Sequence, residues 1–82
     1  MKLWLLNKRL DLPKGDDPWY RSYDMYYGFV IRAETEEQAR AMAENERADE
    51  TKGAWLHENF STCEEITAQG DAEIILRDFN AG

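Results

Sequence analysis

His57 and Cys63 are the single histidine and the single cysteine of the 82-residue chain. They are the residue types of a nucleophile and its base, which work only within hydrogen-bond reach and with a third group orienting the imidazole. Nothing in their spacing enforces that geometry. A small core cysteine in a strand and a turn histidine beside Glu58-Asn59 are the expectation. Asp16, Asp17 and Asp24 offer the oxygens that a hard cation takes. A calcium loop of the EF-hand kind, however, needs acids at alternate positions, a central glycine and a closing glutamate, and that order is absent. Asp17 before Pro18 reads as a turn starter. Glu64 and Glu65 are adjacent in a strand-like stretch, so they point to opposite faces and make no acid/base couple across one substrate. The chain has no glycine-rich phosphate loop, no GxSxG and no HExxH. No enzyme activity, cofactor or metal is expected.

The elements that would position these residues follow from the hydrophobic pattern. Leu3-Trp4-Leu5-Leu6 is a short apolar run of the kind a strand with both faces covered shows, ended by Asn7-Lys8-Arg9. Pro13, Gly15 and Pro18 punctuate the next stretch, and 7–24 reads as an irregular excursion. Tyr27 to Arg32 is a strand of aromatic and β-branched residues, with Tyr27, Phe29 and Ile31 on one face and Gly28, Val30 and Arg32 on the other. Thr35 with Gln38 three residues later is a capping-box pattern, and Glu36 and Glu37 lie in the first turn, where the helix dipole favours negative charge. The spacing predicts a helix over 36–48 with Ala39, Met42 and Ala43 on its inner face. Glu36–Arg40 and Arg40–Glu44 are expected as attractive neighbours and Glu46–Glu50 as a repulsive one.

After a turn at 49–53, Ala54-Trp55-Leu56 is either a short strand or an apolar plug. Phe60 to Thr67 reads as a strand, Gln69-Gly70-Asp71 as a turn, and Glu73 to Phe79 as a last strand completing a hairpin. The order β-β-α-β-β predicts a single two-layer α+β domain over 1–82: an antiparallel sheet of three to four strands with one helix on one face. The other face needs cover, and the aromatic excursion is the only sizeable supply of it.

The formal charge of −7 is unevenly spread: residues 1–32 sum to +2 and residues 33–82 to −9. Such a chain is repelled by nucleic acid and by anionic membranes, so direct contact with either is not expected and a basic protein partner is. One thiol allows no internal disulfide, which suits the cytoplasm. The apolar run near the N-terminus is too short for a signal-peptide core or a membrane span.

Six of the ten aromatics fall between Trp19 and Phe29. Most are expected to plug the thin core that so short a chain can build. Trp19, Tyr20 and Tyr23, ringed by Asp16, Asp17, Asp24 and Arg21, remain candidates for an interface anchor, because Trp and Tyr dominate interface hot spots.

The pattern resembles a group of small bacterial and phage-associated proteins of about this length. The resemblance rests on WLL (Trp4 to Leu6), DPW (Asp17 to Trp19), GFVIRA leading into EEQAR (Gly28 to Arg40), AWL (Ala54 to Leu56), TCEE (Thr62 to Glu65) and RDF (Arg77 to Phe79). None of these motifs carries a known reaction, so the resemblance implies no catalytic residues. By type, a single acidic domain of this size also resembles phage-encoded inhibitors, including anti-CRISPR proteins and DNA mimics. That likeness implies a protein that covers a basic nucleic-acid-binding surface, such as one on a CRISPR surveillance complex. The carboxylates expected to steer it are Glu36, Glu37 and Glu44 on the helix and Glu64, Glu65 and Glu73 on the late strands. The alternative is a small adaptor that associates through its aromatic patch.

Overall fold

A computed structural model describes residues 1–20 and 23–79. Three strands form one antiparallel sheet: β1 (Lys2–Lys8), β2 (Gly28–Ala33) and β3 (Ser61–Ile66), in the order β2-β1-β3. One helix, α1 (Glu36–Glu46), connects β2 to β3, so the two outer strands run parallel to each other with β1 antiparallel between them. A 3-10 turn, Lys14–Asp16, interrupts the excursion after β1. The α+β class is as expected, with three strands.

Register decides which residues meet the helix. Trp4 stands opposite Ile31, Leu6 opposite Phe29, and Leu6 opposite Cys63 on the other side. These side chains share the helix-facing side of the pleat. Ala39 and Ala43 are fully buried there, and their small side chains let α1 lie close to the sheet. Thr35 caps the helix as its sequence predicts, its hydroxyl accepting from the Gln38 backbone N–H at 3.1 Å. The return bond is shifted by one residue, because the Gln38 side chain accepts from the backbone N–H of Glu34.

The inner face of α1 differs from the expected one. Met42 is exposed, and the inward residues are Ala39, Arg40, Ala43 and Glu44. The helix ends at Glu46, so Glu50 lies beyond it in a turn and the expected Glu46–Glu50 helix repulsion does not arise. Arg40 pairs with Glu36 at 2.8 Å, whereas Glu44 pairs with Arg47 at 3.5 Å.

Trp55 is the plug and not a strand. It sits fully buried in a turn, its ring edge-on to Trp19 and Phe29 at centroid distances of 5.2 and 4.9 Å. The excursion therefore packs on the helix side: Trp19 is 2% exposed and donates its indole N–H to the Tyr26 carbonyl at 2.7 Å. It does not cover the outer face.

That cover comes from the chain's last segment. Residues 73–79, expected as a fourth strand in a hairpin about Gly70, join no ladder. They lie across the outer face instead, with Ile74 and Ile75 beside Leu5 and Leu76 against Gly28. Leu5 is buried on this side of the sheet, and apolar cover from above satisfies it where an edge-paired strand would not. Gly28 makes the approach possible. A Cβ there would stand 2.8 Å from Asn7 Oδ1, 3.0 Å from Leu76 Cδ1 and 3.2 Å from the Leu6 carbonyl oxygen. No helix is long and apolar enough to cross a membrane among the described residues.

Candidate functional site

The acidic residues divide by what their oxygens touch. Glu44 is buried and accepts from the backbone N–H groups of Gly53, at 2.7 Å, and Trp55, at 3.1 Å. Gly53 has φ +96°, a left-handed conformation that glycine adopts without strain, and this turns both amides toward the carboxylate. Glu50 accepts from the Trp55 indole N–H at 2.9 Å and from the Ala48 N–H at 3.2 Å. Arg40, also buried, donates to Glu36, to the Trp55 carbonyl, and to the hydroxyl and carbonyl of Ser61. These bonds tie α1, the Trp55 turn and β3 into one body. Buried charges persist only when their polar atoms are satisfied: Arg40 and Glu44 are both ion-paired and hydrogen-bonded, and Glu50 is held by hydrogen bonds from the Trp55 indole and the Ala48 amide.

Glu44 was expected on a partner-facing surface, and its position corrects that. So does Trp19, which is core and not an anchor. The sequence offered one signal for the missed network: Arg40 and Glu44 sit one residue after Ala39 and Ala43, at the same spacing as the buried alanines.

Asp17 is occupied on both oxygens. One meets Lys8 Nζ at 3.1 Å and the other accepts from the Trp19 N–H at 2.9 Å. Lys8 also lies over the Trp19 ring, 5.2 Å from its centroid. Asp24 is held to Asp49 through its backbone: its N–H donates to Asp49 Oδ2 and its carbonyl accepts from the Asp49 N–H. Asp16 is exposed in the 3-10 turn. Tyr20 is exposed beneath Lys14, and Tyr23 is 93% exposed. Arg21, expected beside them, lies outside the described residues.

Glu36 is half-exposed and committed to Arg40, while Glu37 is exposed on the solvent side of the helix. Glu64 and Glu65 point to opposite faces, as their adjacency requires, and Glu65 reaches Lys2 at 3.7 Å. Glu64 and Glu73 are brought to one place on the outer face, and Glu65 borders it from the strand's other side. With Asp71, which was not among the expected residues, they line an open cleft of about 400 Å³ between β3 and the last segment. Among the described residues, no lysine or arginine belongs to its wall. Among the described residues no group of three or more Asp, Glu, His or Cys is placed to hold a metal ion.

Cys63 is half-buried on the helix-facing side of β3. Burial pushes its thiol above the ordinary range, Glu36 and Glu64 push the same way, and Arg40 offsets part of this. That setting disfavours the thiolate on which a cysteine nucleophile depends. His57 stacks edge-on against Phe60 and, among the described residues, makes no hydrogen bond with Cys63.

Comparison with protein-family models, with curated proteins and with solved structures finds no match to this chain.

Proposed function

We propose that this protein is a non-enzymatic, acidic binding protein that occupies a basic surface of a protein partner. The partner class is a nucleic-acid-handling complex, and the role is inhibition of the phage-encoded, anti-CRISPR-like type. The observation that carries this reading is the cleft lined by Glu64, Asp71 and Glu73, with Glu65 bordering it from the strand's other face and held by Lys2, and with no lysine or arginine in its wall among the described residues. Carboxylates that fold-holding contacts leave exposed retain their charge for a partner. Arg or Lys side chains from a phosphate-binding surface would fill the cleft in place of water, and the surrounding field would speed their arrival. Glu37 and Asp16, exposed elsewhere, add to that field.

The adaptor reading has less support, because Trp19, the strongest of the three expected anchors, is spent in the core and leaves Tyr20 and Tyr23 of that set at the surface.

The test is affinity capture from host lysate with stepped salt elution, run beside a Glu64→Lys/Asp71→Lys/Glu73→Lys variant. The expected partner has a basic face, is released as salt rises, and is not retained by the variant. A partner held equally by the variant, or released only by denaturant, would remove the reading.

A further inference from the structure

The outer face carries a second surface with the opposite character to the acidic cleft. Leu10, Val30, Ile74 and Phe79 are 92%, 50%, 69% and 81% exposed, and Ile75 and Leu76 are partly so. They are continuous. Leu10, Ile74, Ile75 and Phe79 line one groove of about 620 Å³, and Leu76 continues it to Gly28, two residues before Val30 on the same face of β2. Together these exposed side chains form a run of apolar surface on one face, the kind of patch that marks an interaction site.

Charge indicates what fits there. The chain as a whole is −7, yet the rim of this groove carries both signs, with Arg77 and Asp78 side by side. Neither makes an ion pair among the described residues. A strongly basic partner would meet Arg77 and be repelled, and a strongly acidic one would meet Asp78. A surface with adjacent opposite charges is complementary to itself under a two-fold axis, which sets residue i against j and j against i.

We propose that this face pairs with a second copy of the chain. The apolar strips would stack about the two-fold axis, and Arg77 of each copy would meet Asp78 of the other. The acidic cleft adjoins this groove, the two sharing Ile74 and Ile75, but Arg77, Asp78 and Phe79 line the groove alone, so substitutions there leave the cleft's carboxylates in place.

Sedimentation equilibrium from micromolar to millimolar protein tests it, with far-UV circular dichroism confirming that each variant folds. The wild type should reach twice the 9.6 kDa mass of one chain. Phe79→Asp should raise the dissociation constant at least about tenfold, equivalent to 1.4 kcal/mol. Arg77→Asp and Asp78→Arg should each weaken self-association, because each sets like charges across the axis. An equal mixture of those two variants should dimerise again, one chain then supplying two carboxylates and the other two guanidinium groups. A single-chain mass at millimolar wild type would overturn the proposal. So would a dimer indifferent to all three substitutions, or a mixture no more associated than its components.

Discussion

On the helix side of the sheet, Leu6, Ala39, Ala43 and Trp55 are fully buried, and the polar groups among them are matched down to individual amides. On the outer side Leu5 is buried beneath a segment that joins no ladder and leaves Ile74 and Phe79 open to solvent. The same chain thus closes one face with a helix, an excursion and an Arg–Glu network, and only drapes the other. A closed face supports the fold and has nothing left to offer a partner. The draped face carries the acidic cleft and the exposed apolar groove, which share Ile74 and Ile75, and it is there that the proposed contacts lie.

The contrast can be broken hardest at Trp55. Trp55→Ala removes the ring that meets both Trp19 and Phe29, and should cost about 3–5 kcal/mol. Small domains have roughly 5–15 kcal/mol in total, so urea unfolding should show a large drop in midpoint. The two kinds of carboxylate can be compared within one helix. Glu44→Gln replaces an oxygen that accepts a buried backbone N–H by an amide group, and should cost about 1–3 kcal/mol. Glu37→Gln, on the solvent side, should stay within about 0.5 kcal/mol of the parent. Equal effects in paired denaturation curves would erase the distinction.

On the draped face, Gly28→Ala should be milder. The new methyl meets the mobile ends of Asn7 and Leu76 and also the fixed Leu6 carbonyl, so about 1–2 kcal/mol is expected from overcrowding. Leu76 should be displaced, which faster proteolysis within 73–79 would report. The smallest effect belongs to Cys63. Its thiol is raised by burial, so the folded protein keeps the proton that the unfolded chain releases. Stability should be flat below the ordinary thiol value of roughly 8.5 and decline as pH climbs past it, and Cys63→Ser should remove that decline.

What was legible in the sequence was local. Thr35 and Gln38 marked the helix start because a cap is read from four residues, and Tyr27 to Arg32 marked β2 because alternation fixes its faces. The inner face of α1 was not legible from apolarity, since Met42 looks like core and Arg40 and Glu44 look like surface. Only the Trp55 turn and Ser61, both distant in sequence, supply the partners that make Arg40 and Glu44 interior residues. The last segment misled for a related reason. Glu73 to Phe79 has the composition of a strand, but whether it pairs at an edge or lies across a face depends on where cover is lacking. Of the candidate site, Glu64, Glu65 and Glu73 were expected from their charge and place on the late elements, and all three border the cleft. Asp71 was missed because it reads as a turn residue, and Trp19 and Glu44 were included because burial is a tertiary fact.

Native-state amide hydrogen exchange on dilute protein compares the two faces directly. The amides of Gly53 and Trp55, held by the Glu44 carboxylate, should exchange only through global unfolding, while those of residues 74–79 should exchange at rates near those of an unstructured peptide. Protection at Ile75 equal to that at Gly53 would mean that the last segment is hydrogen-bonded into the fold, and would contradict the division between a closed and a draped face.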